Sequence, residues 1–138
     1  INGRKCLPGF SRIDLLGMKL TRQQRYLVTI GYLVFISILF CLPGSALPKN
    51  EWLAKIYFDK WVHIGLFLVL AVLCIWALQL YKRKVLFVLI LILAGYGLLV
   101  ETVQHYFIEN RSFDIGDWIA DIAGSVAGVW LSWVYIKK

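Results

Sequence analysis

The chain has 138 residues, 60% of them hydrophobic and only 17% charged, with a mean hydropathy of +0.72. A single domain of that size cannot hide so much apolar surface from water, whereas a bilayer accepts it. The net charge of +7 comes from basic residues flanking apolar runs, which points to membrane topology and away from nucleic acid as a partner.

Residues 1–17 mix polar residues with Pro8, Gly9 and Gly17. They show no periodic apolar face and read as a disordered or non-native extension. Met18, the single methionine, opens Met18-Lys19-Leu20-Thr21-Arg22, a basic lead into a membrane helix, so the membrane domain is expected over residues 18–138. The first apolar run covers residues 26–42 and stops at Pro43-Gly44, which cannot continue a helix. Gly44-Ser45-Ala46 also resembles a cleavage site. Three later spans and the charge balance favour an uncleaved first helix. Further runs follow at residues 61–81, 85–108 and 118–136, separated by the basic turn Lys82-Arg83-Lys84 and a polar loop over residues 109–117. At about 1.5 Å per residue, each suits a hydrocarbon core about 30 Å thick. The expected fold is all-α, a bundle of four transmembrane helices.

Charge sets the expected orientation. With the N-terminus in the cytoplasm, eleven Lys and Arg fall on the inner side and four on the outer, namely Lys49, Lys55, Lys60 and Arg111. Seven of the eight acids fall outside. Basic residues mark the cytoplasmic side, so the reading is N-in/C-in. Cys6, Cys41 and Cys74 form no CxxC pair and give no disulfide framework.

On this topology the polar residues converge on the outer face. Asp59, Lys60 and His63 open the second helix, and Glu101, Gln104 and His105 lie in the last turns of the third. Arg111, Asp114, Asp117 and Asp121 run through the outer loop into the fourth. Asp114, Asp117 and Asp121 form one helical stripe that Gly124 and Gly128 continue, so this polar side is also the small-residue side and should face the bundle. Glu101 lies roughly 10 Å inside its helix end. A charge at that depth costs about 2.5–3.5 kcal/mol, so it must face protein or a wet cavity, be paired, or be protonated. Lys60 and Arg111 are the nearby cations available to pair it. Simpler roles stand beside these: Asp114 or Asp59 as a helix cap, His105 as an interfacial neighbour of Tyr106, and Trp52, Trp61 and Trp118 as an outer aromatic belt.

The series Asp59-Lys60-x-x-His63, Glu101-x-x-Gln104 and Arg111-x-x-Asp114-x-x-Asp117-x-x-x-Asp121-x-x-Gly124-x-x-x-Gly128 resembles the VanZ-like family. Asp121 departs from it, because many members carry Asn there. The resemblance implies a bacterial cytoplasmic-membrane protein related to an accessory glycopeptide-resistance protein linked to teicoplanin. Teicoplanin is acylated and acts on wall precursors outside the membrane.

Three functions compete. An interaction protein would bind membrane lipid, a lipid-linked wall precursor or a lipoglycopeptide, with Asp59, Lys60, Gln104, Arg111, Asp114, Asp117 and Asp121 as the binding residues. An intramembrane enzyme would use Glu101 as general base and His63 as its acid/base partner, with Arg111 clamping an anion. A structural subunit would use the cluster as an ion-pair lock. A homo-oligomer is compatible with each. No cofactor is expected. A metal set of His63, Glu101, His105 and Asp117 is set aside, because those ligands follow no spaced motif such as HExxH.

Overall fold

The computed structural model describes residues 20–43 and 57–136. Among them the chain is entirely helical: α1 (Arg22–Phe40), α2 (Phe58–Leu78), α3 (Arg83–Phe107) and α4 (Ile115–Ile136), with no strand. The expectations for residues 1–17, for the possible cleavage site and for Trp52 lie outside the described residues.

Helix boundaries follow from local chemistry. Thr21 closes a capping box: its hydroxyl accepts from the Gln24 amide, and the Gln24 side chain accepts from the Thr21 N–H. Two orphan donors are thereby satisfied, so α1 starts four residues before its apolar run. The second helix ends at Leu78, earlier than the apolar run, because Gln79 turns left-handed at φ 55°. The Leu80 N–H then closes back on the Ile75 carbonyl at 3.3 Å, as in a Schellman ending. Asp59 does not cap α2. The helix begins at Phe58 behind a left-handed Tyr57 and has no side-chain cap.

The four helices alternate in direction, which brings two α-helix starts and two ends together at each pole. At one pole Arg25 of α1 lies over the Trp76 ring of α2, and Arg83 of α3 lies over Trp133 of α4. At the other, the Gln104 amide of α3 donates to the Phe40 carbonyl of α1 at 2.9 Å, and the Phe40 ring meets His63 of α2 at 4.7 Å.

The most extensive packing joins α2 and α4. A Cβ on Gly124 would run into the Ile64 carbonyl, and one on Gly128 would lie 2.5 Å from the Leu68 carbonyl. Those glycines let the two backbones approach closely. The core is completed by Ile36, Phe67, Leu70, Ile75, Leu89 and Leu93.

Many large apolar side chains lie on the outer surface. Leu27, Ile30, Phe35 and Ile38 on α1, Phe87, Leu91 and Ile92 on α3, and Ile119 and Trp130 on α4 are all exposed. A continuous belt of this kind is stable against lipid tails, where helices satisfy their own backbone groups. Helices α1, α2 and α3 are long and apolar enough to cross a membrane. The 22-residue α4 carries Asp117 and Asp121 in its first turns.

Candidate functional site

The pole that joins the end of α1, the start of α2, the end of α3 and the start of α4 holds a buried polar cluster. His63, Glu101, Gln104, Asp117 and Asp121 are all 5% exposed or less, and Glu101 and Asp121 are fully buried.

Two layers make up the cluster. In the shallower one, Lys60 Nζ donates to Asp114 Oδ2 at 2.8 Å and to Asp117 Oδ1 at 2.9 Å. Gly116 makes this possible, because a Cβ there would lie 2.8 Å from the Lys60 ammonium. Asp114 also caps α4: its Oδ1 accepts from the Gly116 N–H at 2.7 Å, the bond expected of an N-cap aspartate. It thus combines the capping role with an ion pair. The hydrogen bond from Lys60 holds the Asp114 carboxyl below the usual carboxylate range, outweighing the partial burial that would raise it. Asp59 is exposed in the first turn of α2 and brings a carboxylate oxygen within 4.8 Å of those of Asp114 and Asp117.

In the deeper layer, His63 Nδ1 lies 2.8 Å from Asp121 Oδ1, and its Nε2 faces Asp117 Oδ2 at 4.0 Å. The helical stripe Asp117-Asp121-Gly124-Gly128 therefore meets the His63 face of α2. Glu101 Oε2 accepts the backbone N–H of Asp114 at 3.0 Å, while its Oε1 is buried without a partner. Asp121 Oδ2 is likewise buried and unpartnered. It sits over Gly97 of α3, where a Cβ would come within 2.6 Å of it. Gly97 and Glu101 are four residues apart and share one face of α3. His63, Glu101 and Asp121 bring ligand atoms within 4.8 Å of one another.

One option offered by the sequence, an ion pair of Glu101 with Lys60 or Arg111, is not realised among the described residues. Lys60 is taken by Asp114 and Asp117, and Arg111 makes no ion pair among the described residues. Arg111 Nε is buried without a hydrogen-bond partner among the described residues. The set of His63, Glu101, His105 and Asp117 also does not assemble. His105 is exposed, stands edge-on to Tyr106 at 4.7 Å, and accepts from the Phe113 N–H at 3.4 Å. Asp121 takes its place beside His63 and Glu101.

Some contributors were not singled out from sequence. Gly97 and Gly116 make room for carboxylate and ammonium groups; the one trace of Gly97 in the sequence is its four-residue spacing from Glu101. Ser37 and Tyr96 pair through their hydroxyls at 2.8 Å. They line, with Phe40, Cys41, Val100 and Gln104, a half-open groove of about 160 Å³ between α1 and α3. No signal in the sequence joins residues so far apart.

Chemically, the site offers an oriented imidazole–carboxylate pair, a second buried carboxylate and a shallower ammonium held by two aspartates. No curated protein and no solved structure matches the chain. A family model described as VanZ/LLP1 matches residues 16–136, which include all four helices and every residue of the cluster, and the chain belongs to the VanZ/LLP1 family.

Proposed function

We propose that the protein is a bacterial cytoplasmic-membrane protein of four spanning helices, N-in/C-in, whose polar cluster faces the extracytoplasmic side. There it binds the head group of a lipid-linked or lipid-like envelope molecule, and through that binding contributes to glycopeptide (teicoplanin) resistance. The observation that carries this reading is a buried, charged cluster at the same pole as a mostly apolar groove. Gln104 belongs to both, so a polar head and an acyl chain would have adjoining places. Charged groups that deep in a membrane protein mark functional sites more often than not. Lys60 and Arg111 supply cationic donors for a phosphate or carboxylate, Arg111 with an Nε that has no partner of its own. The four-span orientation rests on the charge bias, with the Arg25 and Arg83 pole in the cytoplasm.

The test is teicoplanin susceptibility in a sensitive Gram-positive host expressing wild-type protein or Glu101→Gln, with membrane levels matched. Protection by the wild type alone supports the reading. Equal failure of two well-inserted proteins removes the resistance role.

A second reading is favoured by the 2.8 Å His63–Asp121 contact, since a carboxylate that orients an imidazole is a common acid–base device. In that reading Glu101 and His63 catalyse hydrolysis or transfer at a lipid head group. Glu101→Asp separates the two: it should abolish turnover by an enzyme, weaken a binder in graded fashion, and lower membrane abundance first if the cluster is only a structural lock.

A further inference from the structure

We propose that His63, Glu101 and Asp121 form a site for a divalent transition-metal ion, of which Zn2+ is the representative case. The inference stands on geometry and does not depend on which envelope molecule the protein binds.

Two carboxylate clusters in this pole are tight enough to share an ion, and they differ in one respect. In the set Asp59, Asp114 and Asp117, a cation is already present, because Lys60 Nζ sits 2.8 and 2.9 Å from Asp114 and Asp117. The His63, Glu101 and Asp121 cluster is buried throughout and has no Lys or Arg ion pair among the described residues. It holds two carboxyl groups against one imidazole, so with both ionised even an imidazolium leaves it with net negative charge. Uncompensated charge at that depth is costly.

The unpartnered oxygens point the same way. Glu101 Oε1 and Asp121 Oδ2 are buried without hydrogen-bond partners, on side chains that are fully buried. Buried carboxylate oxygens in folded proteins nearly always have a protein donor, an ordered water or an ion. Asp121 Oδ2 lies over Gly97 on the face of α3 that carries Glu101. Ligand atoms within 4.8 Å of one another need only a small inward shift, since ligands about 2.0–2.2 Å from one ion stand up to about 4.4 Å apart. The 2.8 Å His63 Nδ1–Asp121 Oδ1 separation is a hydrogen-bond distance that must open to about 3.3 Å for the two atoms to become neighbouring tetrahedral ligands. One imidazole and two carboxylates make a borderline donor set that favours Zn2+ or Mn2+ over soft ions. Three protein ligands leave a coordination position open, the pattern of reactive rather than closed structural zinc sites. The Glu101 Oε2 bond to the Asp114 amide would orient that ligand from outside the site.

The experiment uses tag-free full-length protein in detergent, stripped with chelator and titrated with Zn2+ by calorimetry. The expected result is one high-affinity equivalent, with a thermal unfolding midpoint that rises as zinc is added. Glu101→Gln and Asp121→Asn keep the side-chain shapes and should each weaken binding by at least about tenfold. His105→Ala should bind like the wild type. Co2+ bound to the wild type should give the intense visible bands of a four- or five-coordinate ion. That readout needs no variant to fold. A wild type that takes up no zinc overturns the proposal, as does a Co2+ spectrum matching the hydrated ion. Glu101→Gln and Asp121→Asn proteins that both bind as the wild type does overturn it too, by showing adventitious binding elsewhere.

Discussion

At the scale of single residues, the cluster depends on glycines as much as on acids. A Cβ on Gly97 would lie 2.6 Å from Asp121 Oδ2 and 3.0 Å from Asp121 Cβ. Gly97→Ala should therefore displace the Asp121 carboxylate from His63 and cost about 1–3 kcal/mol, as overpacking does. Gly95, two residues away, has open space around its Cβ position. Gly95→Ala should be neutral or slightly stabilising, so detergent-unfolding midpoints of the two variants should diverge. Asp114 carries a pH dependence of defined sign. Its carboxyl is held low by Lys60, so its contribution to stability is complete above the unfolded value of about 3.9. That contribution disappears as pH falls through the lower folded value. Asp114→Asn keeps a good cap and should remove that part of the acid-side loss. The gap between wild-type and variant midpoints should be constant from about pH 7 to 5 and shrink below about pH 4.

Among elements, the α2–α4 contact positions everything else. Gly124 and Gly128 bring α4 against the backbone of α2 at Ile64 and Leu68. That approach sets the depth at which Asp121 meets His63 and Asp117 meets Lys60. Gly124→Ala meets backbone rather than a flexible side chain, so the helices must separate. The expected cost is again about 1–3 kcal/mol, with loss of the cluster geometry throughout. Lys60→Met leaves Asp117, only 8% exposed in its side chain, without its cation. That should lower the unfolding midpoint, and the double change Lys60→Met/Asp117→Asn should recover part of the loss, because the penalty lies in the uncompensated charge. Helix ends were less legible than helix cores. The Thr21–Gln24 capping box and the left-handed Gln79 act through backbone hydrogen bonds, which hydropathy does not register.

For the whole molecule, the proposed orientation rests on the charge bias, and labelling can check it. With membrane-permeant and impermeant thiol reagents on a cysteine-free background, Asn110→Cys should be labelled from outside intact cells. Lys84→Cys should react only after permeabilisation. The reverse pattern would invert the proposed topology and put the cluster on the cytoplasmic face. Either way, the cluster remains at the pole formed by Phe40, His63, Glu101 and Asp121.

The sequence alone determined the helical, membrane-embedded character of the chain, because apolar runs of this length have few other stable environments. It also determined that the acids and histidines gather at one end, because alternating helices place residues 59–63, 101–105 and 111–121 at the same pole. Tertiary structure decided how they pair. Lys60 is equally compatible in sequence with Glu101 or the aspartates, and the close α2–α4 approach gave it to Asp114 and Asp117. Glu101 was left to a backbone amide of the α3–α4 loop. His105 is a plausible neighbour of Glu101 by its four-residue spacing, and Asp121 only because its helix starts at the same pole. Helix rotation turned the first outward and the second into the core, and pairing across helices depends on that rotation, which no single helix's pattern encodes.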